Sequence, residues 1–145
     1  MKILITGANG QLGNTLCDLL TRGKNSLGNI PEAFNSCEIV AVDVDRLDIT
    51  DSDAVMSLVK SEKPHLIINC AAMTNVDGCE TNRELADAVN AVGPWNLAVA
   101  ANEVDAKLVH VSTDYVFRGD ATTPYVEDDV CDPVTAYGAS KRNGE

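Results

Sequence analysis

The stretch Lys2-Ile3-Leu4-Ile5-Thr6-Gly7-Ala8-Asn9-Gly10-Gln11-Leu12-Gly13 joins an apolar run to a glycine-rich turn at the head of the chain. The run over 2–6 reads as a buried strand of a parallel sheet. Beyond the turn, Leu12, Leu16, Leu19 and Leu20 recur at helical spacing, which predicts a helix over 11–22. Glycines between a strand and a helix N-terminus have a physical use. Gly7 permits the tight turn, Gly10 lets backbone amides approach a pyrophosphate, and Gly13 lets the helix pack close to the sheet. The helix dipole then favours the phosphate charge. The spacing is G-x-x-G-x-x-G rather than G-x-G-x-x-G. Alone, such a turn also serves as an ordinary tight connection. Its place between a strand and a helix points to a dinucleotide.

Strands and helices alternate from there. The 22–36 segment, rich in Gly, Asn, Ser and Pro, reads as a long surface connection. A second strand is predicted over 38–43 and a short third one over 47–49, with Thr50 capping a helix over 51–62 that Pro64 stops. Residues 65–70 read as another buried strand. A long helical stretch follows over 81–102, with Leu85, Ala88, Val89 and Val92 on one face and a kink at Gly93-Pro94. The next strand is 107–112, and a polar loop over 118–133 leads into a helix from Thr135. This order predicts an α/β fold, a Rossmann-like doubly wound parallel sheet covered on both faces. Glu145 falls about two turns into the last helix. Residues 1–145 therefore read as an NAD(P)-binding domain, the N-terminal portion of a longer protein.

The formal charge of −11 argues against nucleic acid and anionic membranes as partners, since both require a basic footprint. No stretch approaches the length of a membrane span, and Met1-Lys2 leads into a strand without the features of a signal peptide. The five cysteines are odd in number and form no C-x-x-C pair, which reads as reduced thiols in a cytoplasmic protein. His65 and His110 each adjoin a predicted strand with no ligand-spaced partner and read as structural. No metal site is expected.

The chemistry concentrates at the other end of the chain. Tyr137 and Lys141 are four residues apart and so lie one above the other on a helix face. Ser112-Thr113-Asp114 stands at a strand end upstream. Protonating a ketone while a hydride arrives calls for an acid, a supporting cation and an orienting hydroxyl, and Tyr137, Lys141 and Thr113 offer all three, with Ser112 as the second choice for the last. Asp114 follows at the carboxyl edge of the sheet, where open α/β folds bind ligands, although a turn cap is an equal reading. Asp43 ends the second strand, where a carboxylate accepts from the adenosine ribose and repels a 2′-phosphate, favouring NADH. Arg46 stands close enough to pair with that phosphate, so NADPH remains open. Ala71-Ala72-Met73-Thr74 are mostly small residues after a buried strand, consistent with backbone passing close to a cofactor. Asn69 and Asn90 read as structural hydrogen-bonders, and Trp95 as core or interface.

Taken together, these residues resemble the extended short-chain dehydrogenase/reductase superfamily and, within it, the dTDP-4-dehydrorhamnose reductases. The likeness runs through GANGQLG at 7–13, VDVDRLDITD at 42–51, INCAAMTNVDGCE at 68–80 and VNAVGPWNLA at 89–98. It continues through LVHVSTDYVFRG at 108–119, PYVEDD at 124–129 and YGASKRNGE at 137–145. Departures fall at Met73, Gly78 and Arg118.

The resemblance implies reduction of the 4-keto group of a dTDP-sugar by NADPH or NADH, giving dTDP-L-rhamnose. Tyr137 is then the proton donor, Lys141 its partner and a holder of the ribose hydroxyls, and Thr113 the residue bonded to the reacting oxygen. It also implies cofactor contacts at Gly7, Gly10, Gln11, Leu12 and Gly13, at Asp43, Asp48 and Ile49, and at Ala72, Met73 and Thr74. Asp114 resembles a substrate contact. A longer enzyme, truncated here before its C-terminal substrate domain, a homodimer of the full-length protein and polysaccharide biosynthesis are part of the same expectation. Two other readings stay open: a nucleotide-sugar epimerase or dehydratase of the superfamily, and a non-catalytic NADP-binding regulator like the methionine adenosyltransferase β subunit.

Overall fold

Ile3, Leu4 and Ile5 are wholly buried, because the strand that carries them lies inside a parallel sheet. In the computed structural model, which describes residues 1–26 and 28–145, β1 (Lys2–Thr6) is paired on one side with β4 (Glu38–Val42) and on the other with β5 (Leu66–Asn69). Strand β6 (Lys107–His110) pairs with β5, giving the order β4-β1-β5-β6 with every pairing parallel. The 22–36 connection contains a small antiparallel hairpin of β2 (Lys24–Asn25) and β3 (Gly28–Asn29) and a 3-10 turn at Glu32–Phe34. Leu27, within that connection, lies outside the described residues.

The chain leaves β1 toward β4 in one direction and returns through β5 to β6 in the other. Right-handed crossovers therefore put α1 (Gln11–Arg22) on one face and α2 (Ser52–Glu62) and α5 (Gly93–Glu103) on the opposite one. Leu4, Val40 and Ile67 form the core with Val55 and Val59 of α2 and Leu97 of α5. The direction reverses between β1 and β5, and a crevice opens beyond their carboxyl ends, as in other open α/β sheets.

Several local expectations are corrected. Residues 47–49 form no strand: Asn96 donates through Nδ2 to the Ile49 carbonyl at 3.0 Å, leaving that segment tied to α5 rather than to a neighbouring strand. Leu47 and Ile49 still enter the core. The cap of α2 is Asp51, not Thr50. Its carboxylate accepts from the Asp53 and Ala54 amides, and the Thr50 hydroxyl donates to Asp48 instead. Strand β6 ends at His110, two residues early.

The long helix predicted over 81–102 is divided into α4 (Arg83–Asp87), a π-helical turn (Ala88–Val92) and α5. The Gly93 amide bonds the Ala88 carbonyl, five residues back, and Pro94 contributes no N–H of its own. The wider turn shifts the helical frame, so Leu85 and Val92 are exposed while Ala86 and Asn90 face inward. Trp95 is 70% exposed rather than core. A short helix α3 (Val76–Thr81), capped by Asn75, precedes them, and α6 (Ala136–Asn143) closes the described chain.

Candidate functional site

A cleft runs along the carboxyl ends of the strands. One half is walled by the glycine turn (Gly7, Gly10), Asp43, Asp48 and Ile49, the other by Gln11, Leu12, Thr74, Ser112, Tyr137 and Lys141. Gly10, Cys70 and Ala72 belong to both, so the two halves are continuous.

The glycines act as their positions require. Gly7 has φ +65, and a Cβ there would lie 2.6 Å from the Ala71 nitrogen, so the strand-to-helix turn passes directly against the chain leaving β5. A Cβ on Gly13 would enter the Gly7 carbonyl, so α1 packs directly on the turn, and Gly13 is buried rather than part of the cleft wall. Gly10 occupies the cap position of α1 in an extended conformation. No side chain caps that end, and its first turn holds no acidic residue. The first amides of α1 therefore remain for an outside acceptor.

Asp43 is held by two backbone donors, the Asn9 amide at 2.8 Å and the Val44 amide at 2.8 Å. The carboxylate thus ties the end of β4 to the glycine turn and retains lone pairs for a further donor. Asp48 accepts from the Thr50 amide and hydroxyl, a turn-capping role beside the cleft. Ala72 and Thr74 lie in the wall. Met73 does not: its amide and carbonyl are both bonded to Asn90, which also donates to Ser140 on α6. Asn90 is wholly buried and fastens the loop after β5 to the helix that carries Tyr137.

Helix α6 begins at Thr135, whose hydroxyl accepts from the Gly138 amide at 3.0 Å. Glu80 accepts from the Ala136 amide at 2.6 Å, and that bond, followed by Arg83, holds its carboxyl below the usual range. A second acceptor thus sits at the start of the helix. Tyr137 packs edge-on against Tyr115 with ring centroids 5.5 Å apart. Lys141 is 1% exposed, its Nζ donates to the Val111 carbonyl at 2.6 Å, and burial pushes its pKa down while Glu145 opposes that shift.

Thr113 and Asp114 stand just outside this wall. The Thr113 hydroxyl accepts from the Tyr115 amide and donates to Asp114, capping the 3-10 turn Asp114–Val116. Its neighbour Ser112 lines the cleft and donates to Glu145 at 2.5 Å. One residue that the sequence marked as structural adjoins Lys141 at this site. His110 lies between Asn69 and Lys141, with ring nitrogens 3.0 and 3.2 Å from them. The available signal was register, since Asn69 and His110 are paired on β5 and β6.

Among known proteins, the dTDP-4-dehydrorhamnose reductase of Mycolicibacterium smegmatis is 45% identical over 145 residues, covering 99% of this chain and 40% of that protein. A crystal structure of a dTDP-4-dehydrorhamnose reductase from Clostridium acetobutylicum superposes with a TM-score of 0.88 at 48% identity, over 99% of this chain and 47% of that one. The Bacillus anthracis dTDP-4-dehydrorhamnose reductase, solved in complex with NADP, gives a TM-score of 0.84 at 43% identity, again over 99% and 47%. The chain thus spans less than half the length of these relatives. Residues 1–145 also match, without interruption, the family described as the RmlD substrate binding domain, and with the strand order, glycine turn and cleft described above the chain belongs to that family.

Proposed function

We propose that the chain is the NAD(P)H-binding portion of a dTDP-4-dehydrorhamnose reductase, which reduces the 4-keto group of dTDP-4-dehydro-6-deoxy-L-mannose to give dTDP-L-rhamnose. One observation carries this reading: a single cleft connects the glycine turn and Asp43 to Tyr137 and Lys141. A dinucleotide requires that length, with amides for its phosphates and a proton source at its reactive end. The relatives of M. smegmatis, C. acetobutylicum and B. anthracis carry the same activity in their names.

The protein side of the cleft suits NADPH or NADH. The uncapped N-terminus of α1 presents amides and the positive end of a dipole to an anion. Asp43 is placed to accept from a ribose hydroxyl. The cofactor, when bound, supplies a hydride. The chain supplies orientation and the proton: Tyr137 donates its phenolic proton to the carbonyl oxygen of the sugar, Lys141 supports it from the next turn of α6, and Thr113 orients the oxygen. Asp114 is assigned to the substrate. The five cysteines are all free, in keeping with a cytoplasmic protein. No described helix is long and apolar enough to cross a membrane.

The test is oxidation of NADPH and of NADH by the intact protein with the dTDP-4-keto sugar. Turnover is expected, together with its loss in Tyr137→Phe while cofactor binding persists, and loss of binding in Gly10→Val. Undiminished turnover in Tyr137→Phe, or a cleft that binds neither cofactor, overturns the reading.

A further inference from the structure

Tyr137 stands on the first turn of α6, the part of a helix whose amides have no partner within the helix itself. Such a turn frays unless something outside takes those amides. Two acceptors do so here. The Thr135 hydroxyl accepts from the Gly138 amide at 3.0 Å, and the Glu80 carboxylate accepts from the Ala136 amide at 2.6 Å. The first bond is local. The second joins residues 56 apart in sequence and reaches α6 from α3.

Glu80 is fixed on its own side. Its other oxygen accepts from Arg83 at 2.7 Å. The Asn75 side chain caps α3 through the Gly78 amide at 2.9 Å, and Cys79, next to Glu80, is wholly buried and donates to the Met73 carbonyl at 3.7 Å. The loop that α3 thereby grips supplies Ala72 and Thr74 to the cleft wall. A carboxylate at this end of α6 is favoured twice, by a charge-assisted bond and by the helix dipole. On the far side of Tyr137, the Ser140 hydroxyl donates to the Tyr137 carbonyl at 2.8 Å and accepts from Asn90 at 3.0 Å. Tyr137 thus lies between two anchors, and both lead back to the chain that leaves β5.

We propose that Glu80 is a positioning residue for Tyr137: by bonding the Ala136 amide it sets the first turn of α6 against the loop after β5, and so sets where the phenol stands in the cleft. Its bearing on turnover rests on the reductase reading above, whereas the bond itself does not. Glu80 does not line the cleft, so its influence passes through the backbone. The ring carries its hydroxyl at the end remote from that backbone. A small rotation of the first turn is therefore a larger displacement of the proton donor.

Amide hydrogen exchange on the nitrogen-labelled intact protein tests the bond. The Ala136 amide is expected to be protected, to lose that protection in Glu80→Ala, and to keep most of it in Glu80→Gln, which retains an acceptor oxygen. An Ala136 amide that exchanges as freely as an open loop, or one equally protected without Glu80, overturns the proposal. Turnover of the dTDP-4-keto sugar with NADPH tests the positioning. Glu80→Ala is expected to lower kcat by about tenfold or more, because small misplacements of reacting groups are costly. The Kd for NADPH is expected to stay unchanged, and Glu80→Gln to recover most of the loss. Undiminished kcat in Glu80→Ala, a fall shared equally by kcat and NADPH affinity, or a Gln variant as impaired as the Ala variant overturns the proposal. If Glu80→Ala does not fold, Glu80→Asp, one methylene shorter, takes its place with the same expected loss. Absence of turnover in the unaltered protein refutes the reductase reading and leaves the exchange test to decide the bond; a protected Ala136 amide with undiminished kcat in Glu80→Ala refutes the positioning alone.

Discussion

Asn90 holds the backbone of Met73 at both of its polar atoms: Oδ1 accepts from the Met73 amide at 2.8 Å, and Nδ2 donates to the Met73 carbonyl at 3.0 Å. The same NH2 donates to Ser140 at 3.0 Å, so one buried amide fixes the loop after β5 against α6. Asn90→Leu keeps the approximate volume and strands three polar partners. The expected cost is about 2–4 kcal/mol of unfolding free energy, read by urea denaturation, with weaker cofactor binding from the loosened loop. A loss below experimental error would show that water replaces the amide at no cost.

Gly7→Ala tests the turn itself. The added Cβ meets the Ala71 nitrogen at 2.6 Å with φ at +65. Left-handed backbone alone costs a non-glycine residue about 1–2 kcal/mol, and the overlap with main chain adds to it. Thermal denaturation is expected to show a large drop in Tm, and titration with NADPH a loss of affinity that persists well below that Tm.

Asp51→Ala removes the cap of α2, a helix none of whose residues lines the cleft. Its carboxylate bonds the Asp53 and Ala54 amides, each at 3.0 Å. A loss of about 1 kcal/mol is expected, with cofactor affinity unchanged. Altered affinity would mean that the cap acts on the cleft through the Asp51 amide and the Asp48 carbonyl, which are bonded at 3.1 Å.

Stability is expected to fall with acid through His110. The unfolded chain takes up a proton near the ordinary value of 6.5, while the folded ring, held down by burial and then by Lys141, does so only at about 4. Between those values the unfolded state holds more protons. The stabilisation is therefore whole above 6.5 and is lost progressively toward 4, amounting to on the order of 1–2 kcal/mol once the ring's partial exposure is discounted. Urea midpoints measured from pH 7 to pH 4 read the slope, and His110→Phe should flatten it. Lys141, whose folded pKa is also lowered, gives the same sign at alkaline pH, where stability climbs toward 10.5.

Much of this architecture is legible locally. The apolar run 2–6 became β1 at the predicted residues, and the leucine spacing after it became α1. The helix expected from Thr135 became α6, with Thr135 at its cap. The misses share a cause. Residues 47–49 have a strand's composition, but the Ile49 carbonyl is claimed by Asn96, far along the chain, and the Asp48 carbonyl by the Asp51 amide. The long helix over 81–102 has one continuous apolar pattern, and a π-helical turn shifts its frame midway. Beside them, the Thr113 hydroxyl accepts from the Tyr115 amide and donates to Asp114 while Ser112 lines the cleft, contacts that composition alone does not reveal.

By itself the sequence determined the alternation of the main sheet strands with helices, the glycine turn, and the placing of Tyr137 above Lys141, because periodicity and Cβ sterics act between residues close along the chain. Only the tertiary structure decided which residues meet across the sheet. The hydrogen bonds that run from Thr6 through Asn69 to His110, the grip of Asn90 on Met73 and the burial of Lys141 all join residues remote in sequence. Hydrogen-bond partners at such distances are chosen by strand register and by competition among donors and acceptors, and neither exists until the sheet has formed.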